Sequence, residues 1–131
     1  MTRRSVRSAS PFEPRYGFSR AVRVGDRVIV AGTAPVPPDG EDVAVGAYAQ
    51  MLRCGEIALA AMAELGAGAG HVVRTRMFVV DPDDADAVGR AHAELFGPAA
   101  PAATMVVVAG LLDPAWLVEL EIEAVVDGPA H

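Results

Sequence analysis

Three glutamates stand at alternate positions of an otherwise apolar run: Glu119, Glu121 and Glu123 within Trp116–Val126. A period of two is that of a β-strand. It puts the three carboxylates on one face of a sheet and Trp116, Val118, Leu120, Ile122 and Ala124 on the other. Carboxylates so placed can take protons, orient water or pair with cations. Suitable cations exist, because Arg74 and Arg76 share one parity of "HVVRTRMFVV", residues 71–80, which also reads as a strand. Cross-strand Arg–Glu pairing is the structural reading of both runs, each exposed pair contributing roughly 0.2–1 kcal/mol.

Other chemistry-bearing residues are sparse. Cys54 is the one cysteine, flanks an apolar helical stripe and has no histidine beside it, so it reads as a small buried hydrophobe. His71, His92 and His131 lack HxxxH spacing, and no metal site is expected. His92 falls beside the Val88–Leu95 stripe of a helix and reads first as a partly buried, hydrogen-bonded histidine, and second as a cleft acid or base. Asp81, Asp83, Asp84 and Asp86 lack the glycine and spacing of a calcium loop and suit a helix start. All 11 basic side chains are arginine, and there is no lysine or asparagine. Schiff-base chemistry, a Walker A lysine and asparagine oxyanion holes are thereby excluded. A net charge of −6 argues against a nucleic-acid partner. No apolar run reaches the ~20 residues of a membrane span. "MTRRSVRSASPFEP" is basic with no apolar stretch behind it, so a cytoplasmic protein is expected.

The elements that must position these groups follow from periodicity. Residues 1–14 read as a loose, flexible arm, and residues 15–127 as a single domain. "RAVRVGDRVIVAG" gives two strands meeting at Gly25-Asp26, a two-residue hairpin turn. Pairing there puts Val22, Val24, Arg27 and Ile29 on one face and Ala21, Arg23, Val28 and Val30 on the other. A helix is predicted from about Ala44 to Leu65, closed by "GAGAG". The strand at 71–80 leads to a second helix, capped by Asp81-Pro82 and closed by Gly97. "TMVVVAG", 104–110, reads as a short buried strand before the glutamate strand. The order is β-β-α-β-α-β-β, an α+β layer whose sheet is covered on one face by two helices.

In that order, four stretches resemble the RidA/YjgF family of reactive-intermediate deaminases over about residues 17–126. They are "GFSRAVRVGDRVIVAGTAP", "HVVRTRMFVVDPDDADAVGRAHAELFG", "PAATMVVVAG" and "LVELEIEAVV". The resemblance implies a chorismate-mutase-like fold, a homotrimer whose sheets pack into a central barrel, and a small-molecule cleft at each subunit boundary. It implies that Glu121, in the family's EIEA word, positions the water that hydrolyses an enamine or imine. It implies ligand-lining roles for Phe18, Ala31, Gly89, His92, Ala103 and Met105. Ala103 stands where the deaminating branch has a carboxylate-clamping arginine. Phe18 replaces a tyrosine, Ala31 a serine, Gly89 an asparagine, His92 a tyrosine, and Met105 a Ser, Thr or Cys.

Losing that arginine removes charge-assisted hydrogen bonds worth roughly 1.5–3 kcal/mol each. One reading is therefore a RidA-like trimer with an altered cleft, hydrolysing a less acidic C=N compound with Glu121. A second is an ordinary 2-iminoacid deaminase in which Arg20 or Arg76 replaces the missing cation. A third is a non-catalytic trimeric ligand-binding or regulatory module. The expected partners are a small molecule and two further copies of the chain, with no cofactor, nucleic acid or membrane.

Overall fold

The structure, a computed structural model, describes residues 2–127; His131 lies outside them. The described residues form β1 (Arg3–Val6), α1 (Phe12–Tyr16), β2 (Ala21–Val24), β3 (Arg27–Thr33), α2 (Ala47–Glu64), β4 (Val72–Val79), α3 (Ala85–Phe96), β5 (Ala102–Val107) and β6 (Val118–Val125). The strands make one mixed sheet in the order β1-β2-β3-β6-β4-β5. Only β4 and β5 run parallel, and α3 makes the crossover that parallel strands require.

The expected hairpin is present. Val24 pairs with Arg27 across Gly25-Asp26, and Gly25 takes φ +62°, which suits glycine at the first turn position. Alternation then sorts the faces. Ala21, Val28, Val30, Thr75, Met77, Val79, Val118, Leu120, Ile122 and Ala124 are buried under α2 and α3. The helices answer with Met51, Cys54, Ala58 and Met62 from α2 and Val88, Ala91 and Phe96 from α3. Burying this set drives the layer together, at about 25 cal/mol per Å² of apolar surface. Among the described residues α2 and α3 both lie on this side, and the opposite face of the sheet carries Arg27, Ile29, Arg74, Arg76, Glu119, Glu121 and Glu123. From β2 onward the order β-β-α-β-α-β-β stands as expected, as does the α+β layer.

Two expectations are corrected. Residues 3–6 are not a loose arm but an edge strand, pairing Arg3–Val6 with Val24–Ala21, and Val6 enters the core. Residues 12–16 are a short helix around a wholly buried Glu13. Glu13 anchors a local polar cluster: it accepts hydrogen bonds from Ser8 N at 2.8 Å and from Ser8 Oγ, and lies 3.7 Å from Arg20 Nε. The second correction is β5, which spans 102–107 and is largely exposed on both faces rather than buried. It is an edge strand bonded only to β4, and Met105 is its one contribution to the core surroundings.

Candidate functional site

On the open face of the sheet the three glutamates of β6 have different surroundings. Glu123 gathers arginines from two neighbouring strands: Arg27 at 3.2 Å, Arg74 at 3.6 Å and Arg76 at 3.9 Å. Glu121 has a single ion pair among the described residues, with Arg76 Nη1 at 3.4 Å. Glu119 has no ion pair among the described residues. It lies over Gly32, where a Cβ would stand 2.8 Å from Glu119 Oε2. A break of register between Val30 and Thr33 bulges β3 at Ala31-Gly32, re-aiming this stretch toward β6. Glu119 thus has no cross-strand ion pair like those of Glu121 and Glu123; the arginine that acts on it is Arg20, and glycine opposite it leaves room for the carboxylate.

Burial pushes the Glu119 carboxyl above its ordinary value, with Arg20 drawing it back and Glu121 adding to the rise. Arg20 is itself nine-tenths buried, and its Nε has no hydrogen-bond partner. Its guanidinium lies 5.7 Å from the centre of the Phe18 ring. Burial lowers its proton affinity, against the pull of Glu13 and then Glu119. Arg20 is thus a charge held between two carboxylates rather than a free cation.

The second group of residues lies on the helix side, at the β5 edge. Parallel register sets Ala103 beside Thr75 and Met105 beside Met77. Thr75 is fully buried and its Oγ1 lies 2.7 Å from Nε2 of His92 on α3. Gly89 is three residues earlier on the same helix, so it lies one turn from His92. Burial holds the His92 imidazole below its ordinary value, favouring the neutral ring, and Phe96 packs 5.3 Å from it.

Glu121 and Ala103 consequently sit on opposite faces of the same sheet. Arg76 pairs in register with Thr104, so it too is on the face away from Ala103. Arg20 precedes β2, with β3, β6 and β4 lying between β2 and β5. Within one chain neither arginine stands beside Ala103. Two surface hollows, of about 410 and 290 Å³, lie at the N-terminal edge and against α2; Arg20 lines the second, and neither is lined by Glu121, Ala103 or His92.

Several polar residues have structural work. Gln50, buried on α2, donates to Ala44 O at 3.1 Å and Ala115 O at 3.0 Å, and accepts from Leu117 N at 2.8 Å. It thereby pins the loop that delivers β6. Nothing in the local pattern marks Gln50, Thr75 or Glu13; a polar residue on the apolar side of a helix or strand is the only trace each leaves. Asp113 caps its own turn through Ala115 N at 2.8 Å, and Arg90 pairs with Asp86 at 3.3 Å. Burial pushes the Cys54 thiol to about 12, which removes it as a nucleophile. Among the described residues no group of three or more His, Cys, Asp or Glu is placed to hold a metal ion.

A mixed sheet with two helices on one face and a charged, helix-free second face defines a chorismate-mutase-like α+β protein. The family described as Endoribonuclease L-PSP matches residues 8–126. The chain belongs to this family, the RidA/YjgF family. It is 46% identical over 121 residues to the uncharacterized protein SCO2049 of Streptomyces coelicolor, covering 92% of this chain and 90% of that one. It is 32% identical over 100 residues to a RutC family protein of Pyrococcus abyssi, covering 76% of this chain and 79% of that one. Among solved structures it is similar to Rv2704 of Mycobacterium tuberculosis, described as a member of the highly conserved YjgF/YER057c/UK114 family. The TM-score is 0.85 and the identity 40%, over 95% of this chain and all 100% of that one.

Proposed function

We propose that the protein is a RidA-like homotrimer that hydrolyses an uncharged or weakly acidic imine or enamine in clefts shared between subunits. The observation that carries this reading is the separation of Glu121 from Ala103, His92, Gly89 and Met105 by the thickness of one sheet. A cleft containing both groups takes one face from each of two copies, and cyclic closure of such a heterologous contact yields a ring. In that cleft Glu121, held by Arg76, orients and deprotonates the attacking water. Phe18, Ala31, Ala103 and Met105 supply a lining with little to offer a carboxylate. His92, neutral and fixed by Thr75, presents a hydrogen-bonding edge to a polar but uncharged group.

The family's description names a ribonuclease. The charge of −6, with Arg27, Arg74 and Arg76 paired to glutamates on the open face, leaves that face little basic surface for a phosphate backbone, which favours a small molecule over RNA there. The test is release of ammonia and ketone from freshly generated propan-2-imine and 2-iminopropanoate. Turnover of propan-2-imine at the higher kcat/KM, abolished in Glu121→Ala, is the expected result. A preference for 2-iminopropanoate would overturn the uncharged-substrate reading and favour a relocated arginine. Activity retained by Glu121→Ala would remove that residue from the reaction.

A further inference from the structure

We propose that Glu119 is the proton donor to the substrate nitrogen, working beside Glu121. This rests on the reading of the site as a C=N hydrolase and adds a second reacting group to it. Glu119 and Glu121 are alternate residues of one strand, so they share the open face about 7 Å apart along β6. That spacing places one carboxyl at each end of a small C=N group.

The surroundings divide the labour. Arg76 pairs with Glu121 at 3.4 Å and fixes its carboxylate on the open face. Glu119 has no such partner, and it is seated against the backbone of Gly32 by the bulge in β3. Its charged neighbours are Arg20 and Glu121, with the Cys54 thiol of α2 behind the sheet and Phe78 of β4 opposite it in register. Arg20 turns its buried Nε toward Glu13 at 3.7 Å without a hydrogen bond to it, so its charge is shared between Glu13 and Glu119 rather than committed to Glu119. Burial and the Glu121 charge raise the proton affinity of Glu119, as suits a general acid. Two neighbouring carboxyls, one paired with a cation and one held in a buried, unpaired setting, form a recurring acid–base arrangement.

The proton count closes without any added reagent. Glu121 takes a proton from water as the hydroxyl oxygen bonds to the imine carbon, and Glu119 gives its proton to the nitrogen as the C=N π bond breaks. The product of this step is the carbinolamine, with Glu121 protonated and Glu119 ionised. Glu121 then protonates the amino group while Glu119 takes the hydroxyl proton; the C–N bond breaks, C=O forms and ammonia leaves. Both carboxyls return to their starting states.

The experiment pairs carboxyl titration with kinetics. In protein labelled with carbon-13 at the glutamate side-chain carboxyls, the Glu119 signal, assigned by its loss in Glu119→Gln, is expected to titrate above those of Glu121 and Glu123. Gly32→Ala, which unseats the carboxylate, is expected to bring it down. With propan-2-imine, Glu119→Gln is expected to lower kcat about 100-fold, with KM little changed, and to remove the alkaline limb of the kcat profile. Glu119→Asp is expected to recover part of the rate together with that limb. Titration of Glu119 alongside the other two, or full activity in Glu119→Gln where Glu121→Ala is inactive, would overturn the inference alone. A wild-type protein that turns over neither imine would sink the functional reading and this step with it.

Discussion

A half-buried carboxylate with no ion pair among the described residues, and only the shared charge of Arg20 acting on it, is a burden on the fold that carries it, and Glu119 is that residue. Its proton affinity in the fold exceeds the ordinary 4.5, so the unfolded chain releases this proton first as the pH rises. The stability it allows is whole below 4.5 and is lost as pH climbs through the folded value. Glu119→Gln is therefore expected to raise the melting temperature at pH 7, on the order of 1–4 °C, and to give no gain below about pH 4. His92 acts in the opposite direction. Its affinity is lowered from 6.5, so its contribution is complete above 6.5 and fades as pH falls through the lower folded value. Urea midpoints are expected to fall on that acid side in the wild type and to fall less in His92→Gln. At this scale the sequence was legible in part. The EIEA word marks Glu121, and the Arg74/Arg76 parity anticipates the ladder onto Glu121 and Glu123. It did not distinguish Glu119, because its isolation depends on Gly32 arriving from a strand nearly ninety residues away.

The elements deliver these residues through a few buried polar contacts. Gln50 ties α2 to Ala44, Ala115 and Leu117, and so sets where β6 begins. Replacing it with leucine strands three backbone groups in a partly buried setting, each costing about 1–3 kcal/mol when left unsatisfied. Gln50→Leu is expected to lose at least about 2 kcal/mol in urea unfolding, and to lower turnover more than ligand affinity as β6 loosens. The β2–β3 hairpin, α2, β4, α3 and β6 were legible because their apolar residues recur at two or about 3.6. β1 and α1 were not, since Arg3–Val6 shows no alternation and Glu13 is buried for an ion pair rather than for hydrophobicity. β5 was recognised as a strand but assigned the wrong surroundings. An unbroken run of Val and Met looks the same whether it fills a core or waits at a sheet edge for another subunit.

At the scale of the molecule, one chain offers the uncovered charged face of a sheet and an exposed apolar edge, with Val106 and Val107 41% and 56% exposed. Large exposed apolar residues beside a charged ladder suit burial against further copies. Sedimentation is expected to give a particle of about three times the 13.6 kDa chain mass, and a monomer would contradict the shared cleft. Mixing variants tests the sharing itself. Glu121→Ala removes the open-face group, whereas Ala103→Trp fills the helix-side group and touches nothing in the core. Each homotrimer is expected to be inactive. When the two are unfolded together and refolded at equal amounts, a cleft is intact only if its open face comes from an Ala103→Trp chain and its helix side from a Glu121→Ala chain. Random assembly satisfies each condition half the time, so about one quarter of wild-type activity should return. A site built within a single chain would return none, because every chain in the mixture carries one lesion.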